Sequence, residues 1–177
     1  MPRLFSIDVE TTGLDPTTCS IVSIGGVHIA SGDTFYIECK PWEGAEIHEG
    51  ALKINGFDEA HLLLIEITEA QAVTQLMEWM QQFTTNPLML AHNSAFDKSF
   101  IAEACKRGGV KNSFSFRTVD VHSIVYAHIA QRSAVVACEQ LSLNKCLEYF
   151  GLPKEPNPHN ALTGAQCNVS LWKKIVS

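Results

Sequence analysis

The sequence predicts an α/β domain: a mixed sheet, made of an antiparallel meander followed by parallel strands, flanked by helices. Two observations carry that prediction. Over roughly the first forty residues apolar side chains alternate with period two between turn signals, as in paired strands. From Thr68 onward they recur at helical spacing, with short apolar strands interleaved, which is the pattern of a sheet covered by helices.

The elements follow in order. Residues 3–10 read as a strand that runs into an acidic pair and stops at Thr12-Gly13 and Asp15-Pro16. Residues 20–30 alternate Ile21, Ile24, Val27 and Ile29, then meet the hairpin turn Ser31-Gly32-Asp33, and residues 34–39 return. Residues 41–67 read as irregular, with a turn at Asn55-Gly56. Thr68 and Gln71 form a capping-box pattern ahead of Val73, Leu76, Met77, Met80 and Phe83, which predicts a helix. Residues 87–91 form a short buried strand. His92-Asn93-Ser94 opens a helix with Phe96, Phe100, Ile101 and Ala104 inward, ended by Gly108-Gly109. A last short strand is expected at 118–121 and helices at 123–130 and 141–150. After a loop at 153–159, a terminal helix over about 160–176 turns Leu162, Ala165, Val169, Trp172 and Val176 to one face.

With 177 residues and 46% apolar content, the chain is long enough for one domain spanning 1–177, with no linker or repeat. No apolar run approaches the 20 or so residues of a membrane span, and the first residues lack a secretory pattern, so a soluble, cytoplasmic protein is expected. Cys19, Cys39, Cys105, Cys138, Cys146 and Cys167 are scattered without a CxxC pair, as in reduced, mostly buried thiols. A net charge of −6 argues against a broad DNA-binding surface, yet it suits an enzyme that gathers carboxylates around cations. Lys98, Lys106, Arg107 and Lys111 read as an ordinary solvated helix face.

Three acids and a histidine carry the candidate chemistry. Asp8 and Glu10, two apart at a strand end, point to one face, so their carboxylates converge; they form either a cation site or a solvated pair. Asp97 lies in the first turn of a helix, where the macrodipole favours an acid, and also where a parallel strand would deliver it beside Asp8. His159, in a loop, is either a surface residue or a base able to take a proton near neutral pH.

Taken together, Asp8-Val9-Glu10-Thr11-Thr12-Gly13-Leu14 resembles the first motif of the DEDDh 3′→5′ exonucleases, which include the proofreading exonucleases of polymerases. His92-Asn93-Ser94-Ala95-Phe96-Asp97 looks like the second motif, Pro158-His159-Asn160-Ala161-Leu162 like the start of the third, and Ile54-Asn55-Gly56-Phe57 like a recurring Ile-His-Gly-Ile segment. The resemblance implies an RNase H-like fold and two-metal hydrolysis at 3′ ends with Mg²⁺ or Mn²⁺. By it, Asp8, Glu10 and Asp97 are metal ligands and His159 is the general base. Thr11, Thr12, Gly13, Leu14, Asn93 and Phe96 contact or shape the site for the terminal nucleotide. The implied partners are single-stranded DNA or RNA 3′ ends; a polymerase or other protein partner is left open.

One position departs from the pattern. Five residues after His159 the family has its fourth carboxylate, and this chain has Gly164, with no acid after Glu155. An impaired nuclease is therefore expected, with a non-catalytic 3′-end binding module as the alternative. An aspartate at 164 is expected to add a ligand and to lower the helix cost of glycine by about 0.3–0.5 kcal/mol.

Overall fold

The computed structural model describes residues 3–132 and 141–176. Five strands form one sheet: β1 (Leu4–Thr11), β2 (Ile21–His28), β3 (Thr34–Glu38), β4 (Leu88–Ala91) and β5 (Thr118–Asp120), in the order β3-β2-β1-β4-β5. The first three pair antiparallel, while β4 and β5 extend the sheet in parallel from β1. This is the mixed sheet of the RNase H-like fold.

Helices cover both faces. Phe5, Ile7 and Val9 of β1 pack with Ile24 against Val73, Leu76 and Met80 of α3 (Glu69–Gln81) and Phe100, Ile101 and Ala104 of α4 (Ser94–Gly108). α3 begins with the complete capping box of Thr68 and Gln71. On the other face lie α5 (Val121–Ala130), α6 (Leu143–Tyr149) and α7 (Ala161–Val176), which bury Val125, Leu147 and Leu171 together with Leu4 and Leu90. Period-two geometry thus sends the odd residues of β1 to α3 and α4, and the even ones, Ser6 and Asp8 among them, towards α7. The Ser6 hydroxyl donates to the Ala165 carbonyl at 2.8 Å.

Residues 41–67 are more ordered than the sequence suggests, because they hold α1 (Glu49–Asn55) and α2 (Glu59–Leu64). Gly56, at φ 74°, ends α1 in the left-handed conformation, and the Asp58 side chain accepts the His61 N–H to start α2. At seven and six residues both helices are too short to display periodicity, and they are held by burying Leu52 and Leu62 against Val22.

Two neighbouring glycines set how closely the layers approach β2. A β-carbon on Gly25 would lie 2.1 Å from the backbone of Ala161, whereas one on Gly26 would lie 2.9 Å from Trp79 on the opposite face. Gly25→Ala should therefore push back the start of α7, destabilising the protein by about 1–3 kcal/mol or more, as overpacking does. Urea melts check this against Gly50→Ala, which meets open space within α1 and should be neutral or stabilising.

A buried ion pair ties the α3–α4 layer to β2. Glu69, 3% exposed, accepts from the Ile21 N–H, the Ser20 hydroxyl and two Arg107 nitrogens. The basic group read as a solvated face is thus partly structural: Arg107 also stacks over Trp42, and the Lys98 ammonium donates to the Phe116 carbonyl. Cys19, Cys39, Cys105 and Cys146 are buried free thiols and Cys167 is a half-buried one; Cys138 lies outside the described residues. Among the described residues no helix is long and apolar enough to cross a membrane.

Candidate active site

β1 carries Asp8 and Glu10 towards its carboxyl end, beyond the stretch where it pairs with β4. There α4 begins. Asn93 takes a left-handed turn (φ 63°) that swings the chain from β4 into the helix, and Asp97 follows one turn later. Its Oδ1 accepts the Val9 N–H at 3.1 Å, so Asp97 replaces the missing ladder partner and is fixed between Asp8 and Glu10 in the chain.

From the far end of the sequence, α7 starts above the same edge. Its first turn is held by the Asn160 side chain, which accepts from the N–H groups of Leu162 and Thr163. This sets Gly164 directly on Asp8: a β-carbon at 164 would lie 2.3 Å from Asp8 Oδ2 and 3.2 Å from Glu155 Oε1. An aspartate at 164 would therefore require the half-buried Asp8 carboxylate beneath it to shift.

Glu155 was passed over in the sequence as the chain's last acid, yet it sits in the cluster. Its side chain is 4% exposed and its Oε2 lies 3.7 Å from His159 Nδ1. Ligand atoms of Glu10, Glu155 and His159 lie within 4.8 Å of one another. The loop that bears them is pinned twice: the Glu155 N–H donates to Asn144 Oδ1 and the His159 N–H to the Ile54 carbonyl.

So many acids in one place resist ionisation. Burial, then the charges of Asp97, Glu10 and Glu155, hold Asp8 well above the usual carboxylate range. Burial and then Glu155 raise Glu10 to about 8, and burial raises Asp97 to about 8 despite the N–H groups that favour its charge. Glu155 is raised by burial, against the lowering influence of His159 and the Asn160 N–H. A cluster of oxygen donors that repel one another and lie beneath a protein roof fits a hard divalent cation.

Beside the acids opens a cavity of about 830 Å³, lined by Glu10, Thr11, Gly13, Leu14, Ile54 and Phe96 among others. Leu14 is 84% exposed at its rim. One residue expected to contact the nucleotide is placed otherwise: Thr12 is fully buried, with its hydroxyl donated to the Glu46 carbonyl, its N–H to the Ser20 carbonyl, and its carbonyl accepting from the His48 N–H, so it shapes the loop. Asn93, expected to shape the pocket, does not itself line it; its left-handed turn leads the chain from β4 into α4. Conversely, the Ile54-Asn55 segment proves close to the site: Asn55 donates to the Thr11 carbonyl at 3.1 Å.

Residues 5–171 match the RNase_T family model, described as exonuclease. The chain belongs to the RNase_T exonuclease family. Among its relatives, Ribonuclease T of Haemophilus influenzae is 32% identical over 148 residues, which cover 75% of this chain and 65% of that protein. This chain thus spans a little under two thirds of that relative's length. Ribonuclease T of Buchnera aphidicola (subsp. Schizaphis graminum) is 28% identical over 97% of this chain and 81% of its own. The same RNase H-like fold appears in the nuclease domain of 3′hExo, a DEDDh family member bound to rAMP, with TM-score 0.77, 18% identity and coverage of 98% and 90% of the two chains. It also appears in E. coli exonuclease I in complex with a dT13 oligonucleotide, with TM-score 0.78, 16% identity and coverage of 98% and 40%. The resemblance to the DEDDh exonucleases read from the motifs is borne out by the family match.

Proposed function

We propose that this RNase_T family member is a cytoplasmic exonuclease domain that hydrolyses the terminal phosphodiester at the 3′ end of single-stranded DNA or RNA. The observation that carries the reading is the acidic cluster at the carboxyl end of β1, in which Glu10 lines an apolar cavity bordered by Leu14 and Phe96, Asp97 accepts the Val9 N–H, and His159 lies close to Glu10. An apolar cleft of this kind accepts a base by stacking, and two solved structures that share the fold, one bound to rAMP and one to a dT13 oligonucleotide, support a ribo- or deoxyribonucleotide ligand. Asp8, Glu10 and Asp97 would hold Mg²⁺ or Mn²⁺, which when bound stabilises the charge on the attacking and leaving oxygens. Leu14 and Phe96 hold the terminal base. Glu10 and Asp97 keep the acidic edge towards the scissile phosphate, and His159 takes the proton of the attacking water.

The glycine at 164 supports the second reading, a module that binds 3′ ends without turnover, and a reduced rate within the first. Incubation of 3′-labelled single-stranded DNA and RNA with Mg²⁺, Mn²⁺ or EDTA separates them. Release of labelled mononucleotide in either metal, abolished by EDTA, supports the nuclease; oligonucleotide binding without release supports the module. His159→Ala should remove most of that release, about 100-fold or more for a general base, while Mn²⁺ affinity changes little. A parallel loss of metal binding would make His159 a ligand instead.

A further inference from the structure

We infer that Glu155 serves as the fourth metal-binding carboxylate of this site, supplied from the loop before His159 in place of an acid at position 164. The inference rests on the reading of the cluster as an exonuclease metal site. What points to Glu155 is the way it and Gly164 share one space. A side chain at 164 would start 2.3 Å from Asp8 Oδ2 and 3.2 Å from Glu155 Oε1, so glycine leaves the Asp8 carboxylate undisturbed and lets Glu155 approach the place that a side chain on α7 would enter.

The surroundings of Glu155 argue against a purely structural acid. Its side chain is buried to 4% exposure; the Asn160 N–H donates to it, and its ion-pair partner, His159 Nδ1, stands 3.7 Å away, beyond a hydrogen bond. One N–H and a distant histidine leave much of a buried carboxylate's accepting capacity free, which a cation would take up. Its ligand atom lies within 4.8 Å of those of Glu10 and His159, and its charge acts on both Asp8 and Glu10. One turn along α7 from Gly164, Asn168 is fully buried with neither amide atom hydrogen-bonded, so the same helix face presents a further unpartnered polar group. The loop is built to hold the acid there: Asn144 Oδ1 fixes the Glu155 backbone from α6.

The test is Mn²⁺ binding to the full chain by titration calorimetry, with thermal melts in EDTA. Glu155→Gln, which keeps shape and removes charge, should weaken Mn²⁺ binding at least about tenfold. In EDTA the same variant should melt above wild type, because it relieves repulsion among buried acids. Unchanged Mn²⁺ affinity in Glu155→Gln, or a lower melting temperature in EDTA, would overturn the inference and leave Glu155 as a support for His159. The two readings fail separately. A wild type that degrades 3′ ends while Glu155→Gln binds Mn²⁺ normally removes only the role of Glu155. A Glu155-dependent Mn²⁺ site without hydrolysis keeps that role and removes the nuclease.

Discussion

In EDTA the melting temperature should fall as pH is raised from about 5 to about 8, and Mn²⁺ should reverse that trend. Glu10 and Asp97 keep their protons to about pH 8 in the folded protein, against ordinary values of 4.5 and 3.8. Across that window the folded state binds more protons than the unfolded one, so stability is greatest below the ordinary values and is lost as pH rises. For each group the slope is about 1.4 kcal/mol per pH unit. Because the two acids share one site, their protons leave in macroscopic steps that belong to the pair and not to either residue. With Mn²⁺ the ionised carboxylates are the ligands, so affinity and hence stabilisation grow with pH. The measurement is a pair of melting series, one in EDTA and one at saturating Mn²⁺, each from about pH 5 to 8.5. Parallel falling curves would mean that the cluster is not a cation site, and a flat series in EDTA would mean that the acids ionise freely.

Asp8→Asn should be the most damaging single change to activity. Asparagine fills the same volume against Gly164, so packing is retained while the charge nearest the centre of the cluster is lost. Removing a supporting partner of a metal ligand typically costs 10–100-fold, and loss of a direct carboxylate ligand should cost at least about 100-fold in 3′-end release. The metal-free variant should nevertheless melt higher than wild type, because burial and three neighbouring acids disfavour the Asp8 charge. Asp97→Ala offers the contrast: it also loses activity, but it strips the Val9 N–H of its acceptor, a cost of about 1–3 kcal/mol that offsets the relief of removing a buried acid, so it should melt below Asp8→Asn. Release assays and EDTA melts on the two variants check both halves. An Asp8→Asn protein that retains wild-type turnover would remove the metal role of this residue.

Much of this was legible in the sequence because it depends on local rules. Strand parity put Asp8 and Glu10 on one edge, the capping box fixed the start of α3, and the apolar period of α4 carried Asp97 to the end of a parallel strand. What escaped depends on contacts between distant segments. Glu155 lies in a loop without periodicity and is recognisable only once Asn144 and Ile54 pin that loop over Asp8. Thr12 is a substrate contact by the family resemblance alone, and in the structure Glu46 and Ser20 occupy its hydrogen-bonding groups. Gly164 looked like a simple vacancy, and its tight fit against Asp8 became visible only with α7 in place.

The docking of α7 has a consequence for how the protein comes to life during folding. Asp8, Glu10 and Asp97 can be assembled by β1, β4 and α4, but the histidine and the cover over Asp8 arrive on a segment that reaches Ser6 from 159 residues away. Such a long-range contact is slow to close, because the chain between must be ordered before the contact returns any stability. Until it closes, the acid edge stands open to solvent, without His159 beside it. Release of nucleotides from a 3′ end would therefore report completion of folding, lagging behind a probe of the Trp79 layer on the opposite face of the sheet.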